Sequence, residues 1–220
     1  MTIFIIKIIA CITMVLDHIK YVYEPSTNFA TLYLGRISFP LFAFLLTEGY
    51  VHTSNIKKYA KRLLIFGIIS QIPFMLFRMH VGNWIMLNIM FTLLLGLISI
   101  LIFDKIENKY ISIPLVILTI LCGKIFKVDY GAYGVLLIFI LYLFKDKKIF
   151  LFFTYIVIII LHYFLTTGLS MEYFYNIVFT IFPIFIILSY NGKQGRKLKY
   201  FYYCFYPVHM LIFCIIGYIF

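Results

Sequence analysis

The stretch LFFTYIVIIILHYFL, residues 151–165, contains no charged side chain, no glycine and no proline. Comparable runs occupy Ile3–Leu16, Leu32–Leu46, Leu87–Phe103, Val135–Phe144 and Ile177–Leu188, each bounded by short polar breaks. With its flanks each run approaches the ~20 residues that cross a bilayer at about 1.5 Å per residue. Backbone amides in lipid must be satisfied within the segment, so the runs are read as helices. A β-barrel would require alternation of period two, which they lack. The rest of the chain agrees: 64% of its 220 residues are hydrophobic, 12% are charged, and the mean hydropathy is +1.04. A water-soluble domain of that composition would lack the polar surface it needs. The expectation is an all-α polytopic transmembrane helical bundle, one domain over 1–220, with about nine spans (roughly eight to ten).

The spans are placed at 3–22, 31–52, 62–79, 86–103, 111–126, 130–145, 149–166, 172–189 and 200–219. The net charge of +11 then sorts by side. Lys57, Lys58, Lys61, Arg62, Lys105, Lys109, Lys145, Lys147, Lys148, Lys193, Arg196, Lys197 and Lys199 fall on one side, and Lys20, Arg78, Lys124 and Lys127 on the other. The excess of basic residues marks the cytoplasmic face, which puts the N-terminus inside the cell and the C-terminus outside. The positive charge therefore reflects topology, and no nucleic-acid partner is expected. The opening segment is read as the first span, because Lys7, Asp17 and His18 interrupt it and no A-x-A site follows. Cys11, Cys122, Cys204 and Cys214 form no CxxC pair and are read as small buried hydrophobes.

An ionisable group near the bilayer centre costs about 2.5–3.5 kcal/mol on insertion scales, so each one is a candidate for function. Lys7 and His18 are eleven residues apart, a net rotation of about 20°, which places them on one helix face. Cys11 and Met14 complete that face. His18 lies about 16 Å further along the helix than Lys7. Asp17 points about 100° away from His18, toward a neighbouring helix, where Arg36 is its natural partner. Glu48 and His52 share a face close to the end of the second span. His209 follows Pro207, which frees a carbonyl that the imidazole is placed to satisfy. His162 stands isolated in span seven and is read as structural. No group of Asp, Glu, His and Cys has metal-ligand spacing, and no metal is expected. There is no GxSxG, P-loop or GxGxxG.

These residues form an ordered pattern. Lys7-Ile-Ile-Ala-x3-Met14-x2-Asp17-His18 is followed by Gly35-Arg36-Ile-Ser-Phe-Pro40 and by Glu48-Gly49-Tyr-x-His52-Thr53. Tyr59-x2-Arg62-Leu-Leu, Ile72-Pro73-Phe74, Asn88-x3-Thr92-Leu-x2-Gly96, Asp129-Tyr130-Gly131-x2-Gly134, Asn191-Gly192 and Phe205-Tyr206-Pro207-x-His209 continue it. The series resembles the TraX family over nearly the whole chain. The resemblance implies a multi-pass protein of the bacterial cytoplasmic membrane and acetyl transfer from acetyl-CoA, since TraX is associated with acetylation of conjugative pilin. Lys7-x10-His18 is also similar to the Arg-x10-His of membrane acyltransferase-3 proteins, whose histidine is implicated in catalysis. Lysine there keeps the charge and gives up the planar fork. Gln71 also departs from the pattern, standing where TraX-like sequences often carry an acid.

Acyl transfer needs a base for the attacking amine or hydroxyl and dipoles for the developing oxyanion. His18 is the expected base, with Asp17 orienting or stabilising charge. Lys7, Arg36, Glu48, His52, Asp129, Tyr130 and His209 are the expected substrate-binding residues. Lys57, Lys58, Lys61 and Arg62 are expected to hold the phosphates of coenzyme A. The expected partners are the lipid bilayer, acetyl-CoA and a peptide, pilin-like or glycan acceptor. The alternative is a non-enzymatic permease or proton-coupled transporter using the same polar residues. Hydrolysis or binding of labelled acetyl-CoA separates the two.

Overall fold

The computed structural model describes residues 1–19, 33–80, 85–168, 171–196 and 199–219. Lys20 and Lys197 of the charge count, and the first residues of span two, lie outside them. The described chain is helical: α1 (Ile3–Ile19), a 3-10 turn (Leu34–Ile37), α2 (Ser38–Val51), α3 (Ile56–His80), α4 (Ile89–Lys105), α5 (Lys109–Ile125), α6 (Gly131–Leu143), α7 (Lys148–Thr166), α8 (Met171–Ile181), α9 (Pro183–Leu188) and α10 (Lys199–Ile219). The one extended pairing among the described residues is a single bridge between Leu87 and Val128. The all-α expectation holds. Ile56–Met79 and Lys148–Thr166 are long and apolar enough to cross a membrane. Their outward side chains include Ile72, 70% exposed, and Leu165, 71% exposed.

Two expected boundaries are corrected. Lys57, Lys58, Lys61 and Arg62 do not lie in a loop, because α3 begins six residues before the expected start of span three. Asn55 starts it: its Oδ1 accepts the Lys58 N–H at 2.8 Å, and its carbonyl accepts the Tyr59 N–H at 3.1 Å. An asparagine cap satisfies amide groups that a helix start otherwise leaves unpaired. The expected span 172–189 is interrupted between α8 and α9, where Pro183 cannot continue the hydrogen-bond ladder and begins a new helix instead.

The chain divides into two compact units, residues 1–45 with 143–199 and residues 46–142 with 200–220. In the first, α1 packs on the 3-10 turn, the turn on α8, and α7 on both α8 and α9. The start of α1 is closed by the 189–195 segment: Ile3 N–H donates to the Lys193 carbonyl at 3.0 Å and Phe4 N–H to the Gln194 carbonyl at 3.2 Å. Tyr155 is fully buried and donates its hydroxyl to the Thr180 carbonyl at 2.8 Å, pinning α7 to α8.

In the second unit α4 packs between α3 and α5. The fully buried Asn88 holds this arrangement. Its Oδ1 caps α4 by accepting the Met90 N–H at 3.0 Å, and its Nδ2 donates to the Gly67 carbonyl at 2.7 Å and to Gln71 Oε1 at 2.9 Å. Gln71 Nε2 donates in turn to the Met86 carbonyl at 2.8 Å. A carboxylate at position 71 could accept but not make that last bond, which gives a physical reason for glutamine here. Helices α3 and α10 run alongside each other, with Phe66 stacked on Tyr203 at 5.2 Å and Phe77 against Phe213 at 6.4 Å.

Asn88→Ala removes the cap and leaves buried groups on two helices unpaired. The expected loss is about 2–4 kcal/mol of stability, read as unfolding in detergent. Asn88→Asp, which keeps the cap but sets a buried oxygen against the Gly67 carbonyl and Gln71 Oε1, should cost at least as much.

Candidate functional site

In the first unit the polar residues gather around the end of α1. Cys11 and Met14 are buried on its inner face, with Lys7 and His18 half-buried before and after them. Lys7 is in electrostatic contact with Cys11. It stands about 16 Å from His18 along the axis, so the two share a face but do not meet. His18 Nδ1 lies 2.8 Å from the Met14 carbonyl, one turn back. A carbonyl only accepts, so Nδ1 carries a hydrogen, and in the neutral form of the ring the lone pair is on Nε2.

Asp17 turns toward the 3-10 segment. A Cβ on Gly35 would lie 2.6 Å from Asp17 Cα and 2.5 Å from its Cβ, so only glycine permits this approach. The next residue, Arg36, donates its Nε–H to Asn176 Oδ1 on α8 at 3.0 Å. Arg36 also interacts electrostatically with His162 on α7. The close approach of Gly35 thus brings Asp17 against the turn that carries Arg36, whose Nε–H goes to Asn176. His162, isolated in the sequence, is not isolated in space.

The other expected residues belong to the second unit. His52 Nδ1 lies 2.9 Å from the Glu48 carbonyl and 3.6 Å from its carboxylate, at the exposed end of α2. Lys57, Lys58 and Lys61 are exposed on α3. Arg62 is set apart from them: its guanidinium lies 5.7 Å from both the Tyr59 and Tyr203 rings. Such cation–π contact orients it within the bundle. Asp129 and Tyr130 occupy the turn before α6. Asp129 N–H donates to the Leu87 carbonyl at 2.8 Å, and its own carbonyl accepts the Thr92 hydroxyl. Tyr130 has φ +61°, a conformation costly for a bulky side chain. The Asp129 and Arg78 charges both act on the buried Tyr206 of α10, which bonds the Ile89 backbone. His209 is buried, stacked 5.0 Å from Phe205, with Nδ1 2.8 Å from the Phe205 carbonyl. That carbonyl belongs to its own preceding turn and is not the one freed by Pro207, which is that of Tyr203.

Sequence reasoning passed over several of these groups. Arg78 was counted only as topogenic, although it donates to Met86 Sδ at 3.1 Å and lies 6.0 Å from the Phe74 ring. Asn176 is a short polar residue just before the apolar run of α8, where a partner on another element is its natural explanation. Asp104 was not singled out, yet its two oxygens accept the hydroxyls of Tyr50 at 2.8 Å and Tyr142 at 2.6 Å. Tyrosines embedded in apolar runs were the available signal, since a buried phenol usually finds an acceptor.

The helical fold and the apolar helices define a membrane protein, with polar groups set inside those helices. The sequence model of the TraX protein family matches residues 3–217, and the chain belongs to that family. A curated relative is the probable fimbrial assembly protein FimC, serogroup H1, of Dichelobacter nodosus. It is 33% identical over 157 residues, or 63% of this chain and 60% of that protein. The match thus spans about 60% of the relative's length. No solved structure matches the chain.

Gly35→Ala should push Asp17 and the 3-10 turn apart and cost about 1–3 kcal/mol. An unchanged melting temperature in detergent would show that the two segments are not in such close contact.

Proposed function

We propose that this protein is a membrane-bound acetyltransferase. It moves the acetyl group of acetyl-CoA to an amine or hydroxyl of an exported or membrane-associated acceptor, a peptide N-terminus or a glycan. The observation that carries the reading is the His18 ring, whose Nδ1–H is committed to the Met14 carbonyl and whose Nε2 is therefore the basic atom. Imidazole titrates near neutral pH, as a general base for acyl transfer must. His52 and His209 make the same bond to their own helices. His52 sits at an exposed helix end and His209 is packed among aromatic rings, whereas His18 is half-buried and follows Asp17 in the chain. The fimbrial-assembly name of the relative favours a pilin-like peptide as acceptor.

The acceptor nitrogen or oxygen attacks the thioester carbonyl carbon while His18 Nε2 takes its proton. The new C–N or C–O bond forms, the C–S bond breaks, and the electron pair leaves on sulfur. Sulfur then recovers the proton from His18, giving the coenzyme A thiol and the acetylated acceptor. Asp17, one residue before His18, places a negative charge that favours the imidazolium formed midway. Lys57, Lys58, Lys61 and Arg62 are the proposed phosphate contacts of coenzyme A, and no metal takes part.

In this reading the chain crosses the bacterial cytoplasmic membrane about nine times, with its N-terminus in the cytoplasm. The charge asymmetry supports that orientation. So does the backbone pairing of Ile3 and Phe4 with Lys193 and Gln194, which holds the N-terminus on the same side as that basic segment.

His18→Ala should lower transfer from acetyl-CoA by about 10²–10⁴-fold with little change in melting temperature. Retention of more than about a tenth of the rate would move the base elsewhere. Changing Lys57, Lys58 and Lys61 together to Gln should raise KM for acetyl-CoA about tenfold, on the order of 0.5 kcal/mol per exposed charge, and leave kcat nearly unchanged. An unaltered KM would remove these lysines from the donor site.

A further inference from the structure

Arg62 stands where the exposed basic start of α3 meets its buried aromatic side. At about 100° per residue, Lys57, Lys61 and Lys58 lead up to it around an arc of about 140°, and Phe66 and Tyr59 follow within about 60° beyond it. The three lysines are exposed, Arg62 is half-buried and Tyr59 is buried. The sequence has no acidic residue between Glu48 and Asp104, so α3 itself carries nothing to offset this charge. The guanidinium is held by two rings, with its carbon 5.7 Å from the centroids of both Tyr59 and Tyr203. Its Nε–H is directed to the Tyr203 hydroxyl, a long bond of 3.5 Å. Both rings are fixed in their turn. Tyr203 is stacked on Phe66 at 5.2 Å, and the Tyr59 hydroxyl fits so closely against Gly49 of α2 that a Cβ there would lie 2.6 Å from it.

With Nε directed to Tyr203, the two terminal nitrogens remain, and among the described residues they make no hydrogen bond or ion pair. A guanidinium is planar and rigid, so its terminal edge presents two parallel N–H groups that match two oxygens of one phosphate. Lys58, four residues earlier, is its neighbour on the helix surface and adds a second cation. We propose that Arg62 is the specificity-determining contact of the donor site, gripping one nucleotide phosphate of coenzyme A through both terminal nitrogens, with Tyr203 as its positioning residue. This assignment rests on the acetyl-transfer reading for the identity of the nucleotide. The lysines then serve as general attraction, because exposed ammonium groups on flexible stems are screened and hold no fixed geometry. Arg62 supplies the fixed geometry, because its rings aim it before the ligand arrives. A lipid headgroup is the other source of phosphate near a membrane. It would be met by a side chain extended into solvent, as the lysines are, whereas Arg62 is drawn in against Tyr203 of α10.

The test uses the full chain in detergent with two readouts, calorimetric binding of adenosine 3′,5′-bisphosphate and steady-state kinetics with acetyl-CoA. Arg62→Lys keeps the charge and gives up the fork. It should weaken nucleotide binding and raise KM for acetyl-CoA about tenfold, with the effect confined to KM and not kcat. Tyr203→Leu should weaken binding about as much, whereas Tyr203→Phe keeps the ring and should lose only about threefold. Once Arg62 is replaced by lysine, Tyr203→Leu should weaken binding no further, as a residue acting through Arg62 requires. The rise in KM should vanish with acetyl-pantetheine, which carries no phosphate. sn-Glycerol 3-phosphate, the phosphate of a lipid headgroup, should bind about tenfold more weakly than the nucleotide or worse. Nucleotide binding that depends on Arg62 and Tyr203, in a protein that transfers no acetyl group, would uphold the phosphate site and discard the acetyl-transfer reading. Nucleotide binding that is absent, or unchanged in folded Arg62→Lys, overturns the proposal, and acetyl transfer with an unaltered KM in that variant would leave the transfer reading standing without it. Glycerol phosphate bound as tightly as the nucleotide would move Arg62 to a lipid headgroup and overturns the proposal too. So does an equal rise in KM for acetyl-CoA and acetyl-pantetheine.

Discussion

A polar side chain among so many apolar neighbours must find its hydrogen-bond partner within the protein, and that requirement shapes both units. An unmet polar group in such surroundings costs about 1–3 kcal/mol, more than any single apolar contact in the bundle returns. The response is visible in Asn88, whose backbone N–H and side-chain amide are all engaged with α3 and α4. It is visible again in Tyr155, which is fully buried and reaches across to the Thr180 carbonyl. Asp104 accepts two tyrosine hydroxyls for the same reason. These bonds do more than satisfy their members. Apolar side chains tolerate small rotations and slides, whereas a hydrogen bond between helices admits one register, and so the polar pairs fix which residues face one another.

The same requirement distributes the chemistry. His18, His52 and His209 each give Nδ1–H to the carbonyl four residues earlier, a bond that helical spacing offers to any histidine. Local geometry therefore leaves them equivalent, each with a basic Nε2. Their surroundings separate them. His209 is enclosed by Phe205, Tyr206 and Phe213, a stack suited to packing. His52 ends a helix near Glu48. His18 stands half-buried next to Asp17, which touches the turn that carries Arg36.

The helices were legible from the sequence because each apolar run is long, free of period-two alternation and bounded by charged or turn residues. That reading needs only the chemistry of one segment at a time. The faces of α1 were legible for the same reason: 3.6 residues per turn place Lys7, Cys11, Met14 and His18 in line whatever the rest of the chain does. The start of α3 was misplaced because the lysines there look like a loop, while the cap that starts the helix is the single side chain of Asn55. The sequence singled out Arg36 and His209 but not their partners: Arg36 gives its Nε–H to Asn176, and His209 bonds the Phe205 carbonyl and not the one freed by Pro207.

What the sequence determined by itself is the helical class, the grouping of positive charge, and the presence of Asp17 and His18 together at the end of the first helix. These follow from composition and from contacts within four residues. The tertiary structure alone decided that Arg36 meets Asn176, across a separation of 140 residues. No local pattern encodes such a meeting. It depends on the hairpin register set by Tyr155 and Thr180, and on a glycine that lets the 3-10 turn come down on Asp17. A side chain's partners within its own helix are set by the geometry of the backbone, but its partners on other helices are set by packing, which only the folded chain specifies.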